Sequence, residues 1–71
     1  MKNGNPNNES YNMKEGDHII IVYPDTIVEG YILEIEYPHI TYRTIDDRFD
    51  MVPENLVYNY TEERAKACGL L

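Results

Sequence analysis

Val52-Pro53-Glu54-Asn55-Leu56-Val57 is the stretch that decides the fold. Proline cannot donate to a β-ladder, so Pro53 ends the strand that Val52 belongs to. A single tight 3₁₀-like turn fits over Glu54-Asn55, after which Leu56-Val57-Tyr58 can pair again as a short last strand. Strand, one turn of helix and strand within so few residues mark the point where a small sheet folds back on itself.

Upstream of this segment the chain alternates as strands do. Phe49 and Met51 point one way, with Arg48, Asp50 and Val52 opposite. Asp46-Asp47 makes the preceding turn, and a third strand runs from His39 to about Ile45, with Ile40 and Tyr42 set against Thr41 and Arg43. Before Pro38 a second strand spans Ile27 to Tyr37. Ile27, Tyr31, Leu33, Ile35 and Tyr37 share one parity there, whereas Val28 and Ile32 fall in with Glu34 and Glu36, so a bend or bulge is expected near Gly30. The first strand, His18-Ile19-Ile20-Ile21-Val22-Tyr23, is apolar and β-branched enough to be covered on both faces. Glu15-Gly16-Asp17 is the turn that opens it, and Pro24-Asp25 ends it.

Downstream, Thr61 is placed to cap a short helix over about Glu62 to Cys68, with Glu62 and Glu63 in the first turn and Gly69 as the stop. Two turns do not survive alone in water, so this helix must dock, with Ala65, Cys68 and Leu71 as its apolar contacts. At the other end, residues 1–14 hold five asparagines (Asn3, Asn5, Asn7, Asn8, Asn12) with Gly4, Pro6 and Ser10. They read as a flexible polar tail or as an arm that orders on a partner, for which Tyr11 and Met13 are the available anchors.

The segment 52–57 resembles the Val-Pro-x-Asn-Tyr-Val end of SH3 domains, with Leu56 in place of the tyrosine. Gly16-Asp17 with the later Gly30-x-Ile32 is similar to the entry and second strand of KOW-type and Tudor-like barrels. The resemblance covers roughly residues 15–60. It implies an all-β, five-stranded SH3-like small barrel with a 3₁₀ turn before the last strand, followed over residues 61–71 by the C-terminal helix. It does not carry one function, since such barrels host many. Peptide-binding SH3 domains have a tryptophan beside their groove and an Ala-Leu-Tyr-Asp-Tyr opening. This chain has no tryptophan, and Ile19-Ile20-Ile21-Val22-Tyr23 stands at the opening. RNA-binding KOW barrels carry basic loops, whereas Asp25, Asp46 and Asp47 occupy the loops here. A Tudor-like cage for a methylated cation would draw on Tyr23, Tyr31, Tyr37, Tyr42 and Glu29.

The 71 residues bear a formal charge of −7. Ten acids (Glu15, Asp17, Asp25, Glu29, Glu34, Glu36, Asp46, Asp47, Asp50, Glu54) and two fixed cations, Arg43 and Arg48, concentrate that charge over residues 15–54. Such a field keeps a small domain dissolved, repels phosphate backbones and anionic membranes, and attracts basic proteins. Direct nucleic-acid binding would have to use a local patch such as Arg43 and Arg48. One cysteine, Cys68, makes neither a disulfide framework nor a cysteine metal cluster, and it reads as a packing residue. The opening MKNGNPNNES lacks the apolar core of a signal peptide and no apolar run has membrane-spanning length, so the expected location is the cytoplasm.

Few residues read as chemistry. Asp46, Asp47 and Asp50 have the hard-oxygen character of a Ca²⁺ or Mg²⁺ site but the spacing of no dedicated metal loop. His18 and His39 start strands and have no nucleophile motif nearby, so no enzyme and no cofactor is expected. The seven tyrosines are divided between core and interface, because several exceed what so small a core can enclose. Tyr58 and Tyr60 share parity, either as an exposed stripe or as a cover for the core beneath the helix. The expected function is a protein-binding module that docks on a basic surface through Tyr31, Glu34, Glu36, Asp46, Asp47, Tyr58 and Tyr60. A composition rich in Ile, Asn and Tyr suits a small bacterial or phage accessory protein, in its sharpest form an inhibitor of a host nucleic-acid-binding protein. The alternatives are a homo-oligomer assembled through tyrosines and strand edges, and a nucleic-acid-binding barrel.

Overall fold

The computed structural model describes residues 13–71. Five antiparallel strands make one sheet: β1 (His18–Val22), β2 (Ile27–Glu36), β3 (His39–Arg43), β4 (Phe49–Pro53) and β5 (Val57–Asn59). A 3₁₀ turn at Glu54–Leu56 joins β4 to β5, and a helix, α1 (Glu62–Ala67), follows. The spatial order is β4-β3-β2-β1-β5. The sheet is open, because β4 and β5 are its edges and do not pair with each other; the five strands, the 3₁₀ turn and the C-terminal helix are those expected from the sequence, without closure of the sheet into a barrel. Pro53 departs from expectation by one place. It is the last residue of β4, opposite His39, and the ladder then continues as Glu54 N–H donates to the Pro38 carbonyl at 2.8 Å.

Strand parity builds the core. Ile19 and Ile21 of β1, Ile32 of β2, Ile40 and Tyr42 of β3, Val52 of β4 and Val57 all face inward and are at most a few per cent exposed. Leu56, Ile35, Val28 and Tyr23 pack at the margins of this cluster. Burying each such aliphatic side chain contributes about 1.5–3 kcal/mol, the main favourable term in so small a domain. Met13 belongs to the same cluster and is 6% exposed. The rest of the expected polar tail, residues 1–12 with Tyr11, lies outside the described residues.

The bulge in β2 is at Leu33, between Ile32 and Glu34, and not near Gly30. It lets both Ile32 and Ile35 face the core and turns Leu33 outward, 40% exposed. Gly30 has a different task. A Cβ there would stand 2.8 Å from the Arg43 carbonyl oxygen and 2.9 Å from Tyr42 Cδ2, so β2 can approach β3 only without a side chain at this position.

On the opposite face Ile20 is also fully buried, which covers β1 on both sides as its sequence implied. Helix α1 is tied to that face through Arg64, which lies over Tyr58, the β5 residue paired with Ile20. Thr61 Oγ1 accepts the Arg64 N–H at 3.0 Å, the N-cap that the sequence placed there. Gly69, at φ +81°, ends the helix in the left-handed conformation glycine tolerates. Arg64 anchors the helix to β5, donating from Nη1 to the Asn59 carbonyl at 2.7 Å and lying over the Tyr58 ring at 5.3 Å. Among the described residues no helix is long and apolar enough to cross a membrane.

Candidate binding surfaces

The outward face of the sheet carries a row of side chains that crosses β1 to β4 and ends on Tyr60, the residue after β5. The Tyr60 N–H donates to the His18 carbonyl; His18 is paired with Tyr31, Tyr31 with Arg43 and Arg43 with Phe49. Paired residues in antiparallel strands project to the same face, so these five lie side by side. The His18 imidazole is sandwiched between Tyr60 (3.9 Å between centroids, planes 8° apart) and Tyr31 (4.6 Å, 13°). Its Nε2 donates to Glu29 Oε2 at 2.7 Å, which fixes the ring within the stack. Three of the residues read from sequence as partner contacts, Tyr31, Tyr58 and Tyr60, are therefore half-buried packing groups on this face, two around His18 and one beneath Arg64.

Two further rows continue the face toward the other end of β3. Glu34 is paired with Thr41 and Thr41 with Met51; Glu36 is paired with His39 and His39 with Pro53. Phe49 and Met51 are 62% and 58% exposed, with Glu34 and Glu36 exposed alongside. Neither glutamate makes an ion pair or side-chain hydrogen bond among the described residues. Two large apolar groups and two unpaired carboxylates thus share one solvent-facing surface.

The strand edges differ from this face. In β5, only three residues long, the Asn59 carbonyl is taken by Arg64. In β4, Met51 N–H is taken by Asp50 Oδ1 at 2.9 Å, and Pro53 has no N–H. Both edges are thereby poor templates for a further strand.

A groove of about 470 Å³ opens at the end of the sheet where the β1–β2 and β3–β4 turns meet, lined by Tyr23, Asp25, Thr26, Tyr42, Phe49 and Asp50 among others. Inside it the Tyr23 hydroxyl donates to Asp50 Oδ2 at 2.7 Å, since a carboxylate only accepts. The Tyr42 hydroxyl, 2.6 Å from the Tyr23 oxygen, must then donate to Tyr23. Burial, reinforced by these bonds to Tyr42 and Asp50, pushes the Tyr23 phenol far above the ordinary tyrosine range, so it remains a neutral link in the chain. At the rim the Thr44 hydroxyl donates to Asp46, and that bond, with the Arg48 charge beside it, holds the Asp46 carboxyl below the usual carboxylate range.

The expected acidic contacts at the hairpin tip are engaged within the chain. Asp46 pairs with Arg48 Nε at 3.3 Å and Asp47 with Arg43 Nη1 at 3.5 Å. The same pairs neutralise the two arginines that a nucleic-acid patch would use. Asp46, Asp47 and Asp50 turn to Arg48, Arg43 and Tyr23 respectively, and no group of three or more His, Cys, Asp or Glu placed to hold a metal occurs among the described residues. Nor do the aromatics gather into one cage: Tyr23 and Tyr42 meet in the groove, while Tyr31 and Glu29 meet His18 on the other face. Phe49 and Met51 were not singled out from sequence; their exposure follows from β4 being an edge, which only the pairing order reveals. No protein-family model matches the chain, and no curated protein sequence matches it significantly.

Proposed function

We propose that this chain is a non-enzymatic binding module, an open variant of the SH3-like small barrel, whose outward face docks on a basic surface of a protein partner. The observation that carries this reading is the surface around Thr41, where exposed Phe49 and Met51 sit beside the unpaired Glu34 and Glu36. Exposed apolar groups supply area worth removing from water, and the carboxylates select a cationic rim. The net charge of −7 adds long-range attraction to such a partner and repulsion from nucleic acid. In its sharpest form the partner is a bacterial nucleic-acid-binding protein, met by carboxylates where it would otherwise meet phosphates, as a phage or bacterial inhibitor in the cytoplasm would do.

Self-assembly through strand edges is the weaker reading, because both edges are blunted and two copies carry like charge. The test compares capture of basic proteins from a bacterial lysate by the parent chain, by Met51→Lys and by Glu34→Gln with Glu36→Gln. Each variant is expected to weaken capture roughly tenfold, on the scale of a central interface residue. Added salt should weaken the parent steeply, and nucleic acid should compete for the captured protein. Capture indifferent to salt and to both variants would refute the reading, as would a parent chain that sediments as a stable oligomer burying Met51.

A further inference from the structure

The groove at the β1–β2 and β3–β4 turns has an unusual balance of hydrogen-bonding capacity. Its hydroxyl protons are largely committed inward: Tyr42 to Tyr23, Tyr23 to Asp50, Thr44 to Asp46. The one cation on its wall, Arg48, is balanced by Asp46. Beside the Thr26 hydroxyl and the remaining Arg48 N–H groups, the groove offers a visitor the acceptors of two carboxylates. Asp25 is exposed and makes no ion pair or side-chain hydrogen bond among the described residues. Asp50 is oriented by two donors, the Tyr23 hydroxyl at 2.7 Å and the Met51 N–H at 2.9 Å, and keeps lone pairs to offer. The walls between these carboxylates are aromatic, formed by Tyr23 and by Phe49, which is 62% exposed.

We infer that this groove is a subsite for an unmodified guanidinium group, an arginine side chain of the basic partner. The inference rests on the docking reading above and gives that surface its specificity. The chemistry matches on three counts. Guanidinium carries five N–H donors and no acceptor, which suits a groove rich in acceptors. It is planar and weakly hydrated, so it lies against aromatic faces where a compact, strongly hydrated ammonium is held less well. Its charge is opposite to that of Asp25 and Asp50. An anion would face two carboxylates. The volume, about 470 Å³, is that of a small ligand site and accommodates one side chain with its flanking backbone. Phe49 belongs both to the groove wall and to the outward row, so an arginine seated here would belong to the same partner as the contacts at Met51 and Glu34.

The test titrates N-acetyl-arginine amide into the full chain and follows backbone amide shifts by NMR, with N-acetyl-citrulline amide as the neutral isostere. Saturable shifts at Tyr23, Thr26, Thr44 and Phe49 are expected, with citrulline binding roughly tenfold more weakly, the scale of one charge-assisted hydrogen bond. Asp25→Asn lies in an exposed turn and leaves the fold unchanged, so it should weaken arginine binding severalfold while the spectrum keeps its dispersion. Equal shifts from citrulline, or no saturable shift at these residues, would overturn the inference. Arginine shifts confined to Thr41, Met51 and Glu34 would overturn the groove as the subsite and leave the docking face standing. Groove binding in a chain that captures no basic protein would sustain the subsite and remove the partner.

Discussion

Gly30→Ala should destabilise the domain, although replacing glycine within a strand ordinarily does the reverse. Alanine restricts the unfolded chain and is generally favoured by about 0.5–1 kcal/mol where the backbone permits it. The Gly30 backbone is ordinary extended strand, so nothing local forbids the substitution. The obstacle is across the ladder. The added Cβ would meet the Arg43 carbonyl oxygen at 2.8 Å, a backbone atom that cannot rotate away, and Tyr42 Cδ2 at 2.9 Å on a ring that is 4% exposed. Relieving both requires β2 to withdraw from β3 where Tyr42 reaches toward Tyr23. Overpacking of this kind costs about 1–3 kcal/mol, and after the entropic gain a net loss of about 1–2 kcal/mol remains. A domain of this length holds on the order of 5 kcal/mol in all, so the thermal midpoint should fall by roughly 5–15 °C. Circular dichroism melts of parent and variant read this directly. Gly16→Ala is the comparison: it has φ +91° with open space around it, so it pays only the left-handed backbone penalty of about 1 kcal/mol. A Gly30→Ala midpoint equal to or above the parent's would refute the close approach of β2 to β3.

Tyr23→Phe should cost about 1–2 kcal/mol, because the Tyr42 hydroxyl and Asp50 both lose a partner, and it should also change the alkaline limb of stability. The folded state raises the Tyr23 ionisation, so its contribution is fully present below the ordinary tyrosine value, near ~10, and is lost as pH rises above it; urea midpoints of the parent should fall from there upward, more steeply than those of the variant. A variant with the parent's alkaline slope would remove Tyr23 as the cause. Thr61→Ala deletes the acceptor for Arg64 N–H and should cost about 1 kcal/mol, read as faster hydrogen exchange across Glu62–Ala67, whereas unchanged exchange would show that Arg64 alone holds the helix.

The elements were legible in the sequence because each rests on a local rule. The apolar run marked β1 as covered on both faces, alternation set Ile40 with Tyr42, and Val52 apart from Phe49 and Met51, Asp47 took the turn with φ +66°, and Thr61 with Gly69 bounded the helix. What was not legible depends on register between distant strands. Gly30 looked like a bulge because a strand glycine and a parity change stood close together, yet the shift falls at Leu33 and the glycine serves the approach to β3. Asp46 and Asp47 are a local case: they looked available although the arginines that neutralise them, Arg48 and Arg43, stand only two and four residues away, and the turn conformation is what brings each pair together. Tyr31 read as a partner contact and Tyr60 as either an exposed stripe or a cover for the core, and nothing in the sequence says that His18 will stand between them.

These pairings narrow where a partner can attach. Of the acids counted in the sequence, Asp17, Asp46 and Asp47 are already paired with the cations Lys14, Arg48 and Arg43, so raw charge overstates the field available for docking. Removing them from the ten leaves Glu15, Asp25, Glu29, Glu34, Glu36, Asp50 and Glu54, of which Glu34 and Glu36 stand exposed on the outward face and Asp25 and Asp50 line the groove. The edges are blunted by Arg64 on one side and by Asp50 with Pro53 on the other, so association by strand addition has little backbone to work with. Asp50 joins these two effects, since one carboxylate closes the β4 edge through Met51 N–H and orders the groove through Tyr23. The edge so protected from self-pairing is β4, whose Phe49 and Met51 side chains remain uncovered on the outward face, an arrangement that would let the domain stay apart from its own copies while meeting the proposed cationic partner.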